Sequence, residues 1–173
     1  MTLLRLPRLA VAASVALVTL ATVAPSTARA DEQSIIKSPG EHPHYVFEAE
    51  PHAIIGFAPP FENNLGVGFR GTFHIADGFV KSINDSVGVG FGLDLAPGNA
   101  TYVLVPIVLQ WNFWLSTHWS VFGEPGLAIT SGRGPTFDPF VFYAGGRFHF
   151  SERISLTMRV GYPDFSVGVS FFL

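Results

Sequence analysis

Six ionisable side chains, Glu48, Glu50, Arg70, Glu124, Arg147 and Arg159, stand at the non-apolar positions of segments that otherwise alternate with apolar residues. Opposite charges brought together this way could line a gated polar path or a small-solute site. The plainer reading is a set of ion pairs that satisfies charges withdrawn from water, where loss of one partner strands the other. A second candidate is His149-Phe150-Ser151, a base and a hydroxyl two residues apart on one face of a strand. With a carboxylate behind the imidazole this would be a nucleophilic set. Ser151 reads more simply as a turn residue, and no catalytic residue is assigned. His42, His44, His52, His74, His118 and His149 show no metal-ligand spacing. Gly88-Val89-Gly90-Phe91-Gly92 lies inside an alternating run and opens no helix, so it is no phosphate loop. No cofactor and no metal are expected.

The elements that would carry these residues are strands. Between 101 and 115 the odd positions are Val103, Val105, Ile107, Leu109, Trp111 and Phe113, and seven further segments alternate in the same way. A period of two puts one set of side chains on each face of a sheet, and here one face is almost purely apolar. The segments are 45–57, 65–75, 86–95, 101–115, 119–130, 140–150, 154–161 and 165–173. Most have the length of a tilted membrane-crossing strand, about 9–11 residues. Pro51 suggests a bulge in the first. The apolar face falls on odd positions in the first five, on even positions in the sixth and seventh, and on odd positions again in the eighth, so the phase is expected to change in turns.

The opposite face carries glycines and polar residues, including Gly66, Gly68, Thr72, Gly90, Asp94, Gln110, Asn112, Ser120 and His149. A barrel of eight strands has an interior that side chains can fill. Glu50, Arg70, Glu124 and Arg147 are expected at similar heights within it, with Glu48 and Arg159 nearby.

Composition fits a membrane barrel. Charged residues are 13% and aromatics 14% of the chain, with 17 Phe. After residue 30 no apolar run is long enough for a spanning helix. A chain too apolar for a soluble surface and lacking helical spans matches a transmembrane β-barrel. Residues 1–30 read as a cleaved secretory signal: Arg5 and Arg8 precede an Ala/Val/Leu-rich core, and Ala28-Arg29-Ala30 is a small-x-small cleavage site. There is no cysteine to carry a lipid or a disulfide. Without Arg5, Arg8 and Arg29, seven of the 10 Lys+Arg remain against 13 Asp+Glu, which gives nucleic-acid binding no electrostatic support.

Residues 31–42 read as a flexible N-terminal segment and 43–173 as the barrel. An even number of strands returns the chain to its starting side. Both termini and the turns 116–118 and 151–153 are then periplasmic, with outer loops at 58–64, 96–100, 131–139 and 162–164. The connection 76–85 is long for a periplasmic turn, and its neighbouring strands are expected to extend into it. Tyr45, Phe47, Phe73, Trp111, Phe113, Trp119, Phe148, Phe150 and Phe171 fall near the same end on the apolar face, as an interfacial aromatic girdle does.

The last strand, Ser166-Val167-Gly168-Val169-Ser170-Phe171-Phe172-Leu173, resembles the C-terminal assembly signal of bacterial outer-membrane proteins. Ser166, Gly168, Phe171 and Leu173 fit its alternation, while Leu173 stands where Phe is usual. The resemblance implies insertion by the outer-membrane assembly machinery. Over 44–173 the chain is similar to the small eight-stranded barrels of the OmpX and OmpA kind, a resemblance of pattern. Lipid A deacylases are also eight-stranded barrels with a His-x-Ser set, but the residues around His149 do not match that family.

The expectation is an all-β, closed, eight-stranded antiparallel transmembrane β-barrel in the cell outer membrane. Its role would be structural or interaction-based and non-enzymatic, in contact with outer-membrane lipid and lipopolysaccharide. The sequence does not fix its oligomeric state. The alternatives are a narrow pore for small solutes, and a soluble periplasmic lipocalin-like carrier with the apolar face inward.

Overall fold

The structure is a computed structural model that describes residues 33–57, 64–97, 101–131, 135–162 and 164–173. The expected signal segment and cleavage site lie outside these residues, as do 58–63, 98–100, 132–134 and 163 of the expected outer loops.

Eight strands follow one another: β1 Phe47–Gly56, β2 Leu65–Asp77, β3 Asp85–Ala96, β4 Tyr102–Trp114, β5 Trp119–Ser131, β6 Pro135–Ser151, β7 Ile154–Gly161 and β8 Asp164–Phe172. Each pairs antiparallel with its neighbour, and β1 pairs with β8 to close a barrel. Closure leaves no sheet edge, so the strand backbone is paired without water. No described helix is long and apolar enough to cross a membrane.

Side chains alternate between lipid side and lumen. Val67, Phe69, Leu93, Ile107, Ile129 and Val160 lie exposed on the outside, while Glu48, Glu50, Arg70, Gln110, Glu124 and Arg147 are buried inside. The carrier alternative, which needs the apolar face inward, is overturned by this orientation.

Two departures from the expected strands have local causes. Pro51 makes no bulge. The registers of β1 with β2 and with β8 run through it unshifted, and only the pairs opposite Glu50 and Pro51 on β8 are missing. Pro106 toward β3 and Pro125 toward β4 leave the same kind of gap. A proline lacks one N–H toward one neighbour, which interrupts the ladder without inserting a residue. Second, the phase does change inside a strand. β6 begins five residues earlier than the alternation indicated, and its register against β5 slips between Gly126 and Ala128. That bulge moves the outward set from Phe137 to Phe140 and Phe142. As expected, β2 and β3 extend toward each other, shrinking their connection to 78–84. Gly78 takes a φ of 64° there, a left-handed turn conformation that glycine adopts without penalty. Asp85 accepts from the Val80 amide at 3.2 Å and from Trp111 Nε1 at 2.7 Å, which fixes this turn to β4.

The end that carries Tyr45 and Leu173 is called the near end here. On its outer surface Phe47 meets Phe73 with ring centres 4.9 Å apart, Trp111 meets Phe113 at 5.0 Å, and Trp119 meets Phe148 at 5.0 Å. This is the aromatic belt, with one correction. Tyr45 turns inward, buried with Ile35, Trp114 and Phe172.

The stretch that reads as a flexible lead is tied down from Ile35 onward. The Ile35 amide donates to the Leu115 carbonyl at 3.0 Å, the Asn84 amide to the Ile36 carbonyl at 2.7 Å, and Asn84 Nδ2 to the Glu41 carbonyl at 2.9 Å. Its apolar residues, Ile35 above all, are spent on the lumen mouth, so a segment that looks polar in sequence has a packing partner.

Closure predicts a folded form that resists dodecyl sulfate at room temperature. Unboiled protein is expected to run ahead of boiled protein on a gel; identical mobility of the two would contradict a closed barrel.

Candidate functional site

Alternation sends all six ionisable candidates into the lumen, and the closure of β8 onto β1 brings them together. Arg147, on β6, reaches across to Glu48 on β1. Its Nη2 donates to both carboxylate oxygens at 2.8 and 2.9 Å, and Nε to one of them at 3.1 Å. Its Nη1 donates to Asn112 Oδ1 at 2.6 Å. Arg159, on β7, bridges two carboxylates. It gives Nη1 and Nη2 to Glu50 at 2.7 and 2.8 Å, and Nε to Glu124 at 2.9 Å. Gln110 donates a further bond to Glu124 at 2.9 Å. Arg70, on β2, stands 3.5 Å from Glu124 and 3.5 Å from Asp94, a looser arrangement.

Paired, bidentate geometry is what keeps such charges tolerable away from water. None of the six candidates is more than 2% exposed, so no open passage runs beside them. An inward aromatic adds to the set: the guanidinium of Arg147 lies 4.2 Å from the ring centre of Phe122, and that of Arg159 lies 5.2 Å from it.

Glycine provides the room. A Cβ on Gly68 would collide with Asp94 and His52, and one on Gly92 would come within 2.8 Å of Arg70 Nε. A Cβ on Gly145 would run into Phe122 and one on Gly161 into Tyr143. The glycine-rich face is therefore the complement of the long charged side chains opposite.

The network is wider than the sequence indicated. His52 places Nε2 2.9 Å from Asp94 Oδ1 and Nδ1 3.3 Å from the Glu50 carbonyl. Asn112 also binds Gln110 and Ser86 at 3.2 and 3.4 Å. Alternation had put these residues on the polar face. Their partnerships depend on strand heights that a period of two does not encode.

The lumen is capped at both ends. At the far end Ile54, Leu104, Tyr102, Ala96 and Ala128 are buried. At the near end Trp114, Tyr45, Phe172 and Ile35 form the floor, with the His42 ring stacked on Trp114 at 5.1 Å and 10°.

The His149-x-Ser151 arrangement does not assemble. The β6–β7 register slips between His149 and Ser151, so His149 stays buried while Ser151 is exposed outside. His149 Nε2 instead faces Ser120 Oγ at 2.9 Å. Both residues are fully buried, and no side chain hydrogen-bonds the remaining ring nitrogen of His149. Among the described residues no cluster of three or more ligating side chains is arranged to hold a metal ion. In the C-terminal strand, Ser166 is buried and Gly168 faces the lumen against His52, while Phe171 and Leu173 are exposed on the lipid side.

No known protein family matches this sequence, and no curated protein is similar to it. Solved structures are similar in fold. A de novo designed transmembrane β-barrel superposes with a TM-score of 0.52 at 12% identity, covering 73% of this chain and 95% of the design. The N-terminal β-barrel domain of Pseudomonas aeruginosa OprF gives 0.52 at 14% identity, covering 73% of this chain and 96% of that domain. A second designed barrel, solved by solution NMR, gives 0.51 at 13% identity, covering 78% and 98%. These likenesses establish a closed barrel of the transmembrane kind.

Arg147→Met leaves Glu48 buried without its main partner and is expected to destabilise the barrel by about 3–5 kcal/mol. Adding Glu48→Gln is expected to recover a large part of that loss. Urea unfolding of the two variants in the same lipid vesicles measures both; equal losses in the single and double variants would show that the pair is not coupled.

Proposed function

We propose that this chain is an integral barrel of the bacterial outer membrane with a non-enzymatic, structural or interaction role in the cell envelope. The observation that carries the reading is the filled lumen. Ion pairs cross it at mid-height, apolar residues seal one end, and an aromatic floor seals the other. A conduit needs a continuous polar path, and this interior spends its polar groups on one another. What remains available to a partner is the outside: the lipid-facing band and the turns at either end.

Placement in the outer membrane is supported by the outward apolar band, the aromatic belt at one end, the secretory pattern in 1–30 and the C-terminal strand. The contacts that follow from this placement are with outer-membrane lipid and lipopolysaccharide, and with the assembly machinery that would pair with Ser166, Gly168, Phe171 and Leu173. A non-enzymatic role is supported by the sealing of the Ser120–His149 pair and the separation of His149 from Ser151.

The pore alternative is tested directly. Protein extracted from an outer-membrane fraction and inserted in planar bilayers is expected to give no stepwise conductance. Reproducible unitary steps would replace the closed-lumen reading with a transport one.

A further inference from the structure

The connection from β6 to β7 and the last residues of β8 meet at the near end, beside the segment that crosses the lumen mouth. Between them lies a cleft of about 510 Å³. A volume in this range takes a small ligand or the polar head of a larger one. The walls divide by chemistry. Half-buried Pro43 and buried Phe172 back the cleft. Ile154, Phe171 and Leu173 open it toward the lipid side, where all three are exposed. Its polar side comes from Glu152 and Arg153, both exposed in the connection from β6 to β7, and from His44.

The backbone around the cleft is tied. Ile154 pairs with Phe171 in the β7–β8 register, the Phe172 amide donates to the Arg153 carbonyl at 2.9 Å, and the Arg153 amide donates to Ser151 Oγ at 3.3 Å. Glu152 and Arg153 therefore stand at a set height, next to the aromatic belt. Phe150, exposed outside two residues before Glu152, packs on Phe148 with ring centres 5.4 Å apart. Such belts mark the level at which hydrocarbon gives way to lipid headgroups. A guanidinium at that level can hold a phosphate through paired N–H donors. A neighbouring carboxylate accepts hydrogen bonds from a primary ammonium and repels a headgroup of net negative charge. One apolar side, one cation and one anion together complement a zwitterionic phospholipid.

We infer that this cleft binds one phospholipid with a phosphoethanolamine headgroup. Arg153 holds the phosphate, Glu152 accepts from the ammonium, and Ile154 and Phe171 carry the first part of the acyl chains. The inference rests on the placement of the barrel in a membrane and deepens it, turning general lipid contact into a site with a headgroup preference. Lys81, exposed in the connection 78–84 at the same end, does not line the cleft and supplies the control.

Native mass spectrometry of the protein, released from vesicles of equimolar phosphatidylethanolamine, phosphatidylglycerol and phosphatidylcholine with identical chains, reads which lipid stays bound. The unmodified protein is expected to retain the ethanolamine lipid about fivefold over each of the other two, the scale of one charge at a membrane surface. Arg153→Gln is expected to lose most of the bound lipid of all three kinds. Glu152→Gln is expected to keep bound lipid and lose the preference over phosphatidylglycerol, and Lys81→Gln to behave as the unmodified protein. The gel shift on boiling confirms that each variant retains its barrel. Equal retention of the three lipids by inserted protein, a preference that survives both Arg153→Gln and Glu152→Gln, or displacement of the lipid by free phosphoethanolamine would each overturn the lipid site and leave the membrane placement standing. Protein that does not insert into the vesicles at all would overturn the placement, and the site with it.

Discussion

Every strand of this molecule depends on the closure of β8 onto β1. A β-sheet facing hydrocarbon cannot leave a row of N–H and C=O groups at its edge, because no water is present to take them. Joining the first and last strands removes the edge and fixes which face looks inward. The outward side chains follow from that constraint: apolar at mid-height and aromatic toward the near end. So does the tolerance for Pro51, Pro106 and Pro125. Each interrupts the ladder toward one neighbour, while pairing with the other neighbour holds the register.

Closure creates the second problem, an interior too narrow for water to flow and too polar to collapse like a soluble core. Charged side chains and glycines solve it jointly. Arg70, His52, Asp94 and Glu50 fit into the lumen because the strands beside them offer hydrogen atoms in place of side chains, at Gly92, Gly68 and Gly168. The carboxylates that receive Arg147 and Arg159 come from β1 and β5. The ion pairs therefore act as long-range contacts between strands that are not neighbours in the sheet. Their value lies in specifying one interior arrangement, since buried pairs contribute little net stability beyond what apolar replacements supply.

The barrel was legible in the sequence because a period of two is a local signal, and each segment reports its own inward and outward sets. Strand number, closure and the six lumenal charges could be read in that way. What could not be read depends on events between segments. The phase change in β6 needs the bulge at Gly126 and Ala128, which changes the residue count on one strand relative to its partner. The slip between His149 and Ser151 separates two residues that local alternation put together. Tyr45 sits at a girdle position in sequence, yet it turns inward because Ile35, Trp114 and Phe172 offer it an apolar site there. The seating of 35–46 was invisible for a related reason. Its partners, Asn84, Leu115 and Leu173, are remote in sequence, and most of its hydrogen bonds use backbone atoms.

The two ends of the lumen are closed by different means, and the difference decides which end can respond to its surroundings. At the far end the sealing residues Ile54, Leu104 and Ala128 belong to β1, β4 and β5, so opening that end would break ladder pairs. At the near end Trp114 and Phe172 are strand residues, but Ile35, His42 and Tyr45 arrive on a segment held by a few hydrogen bonds, one stacked ring and one close approach of His42 to Asp77. Such a segment can leave while the barrel stays intact, because none of the strand-to-strand ladder passes through it. Local openings in proteins draw on the elements with the fewest cooperative contacts. In a barrel whose walls are fixed by closure and whose centre is locked by guanidiniums, the near-end segment is the element that meets this description.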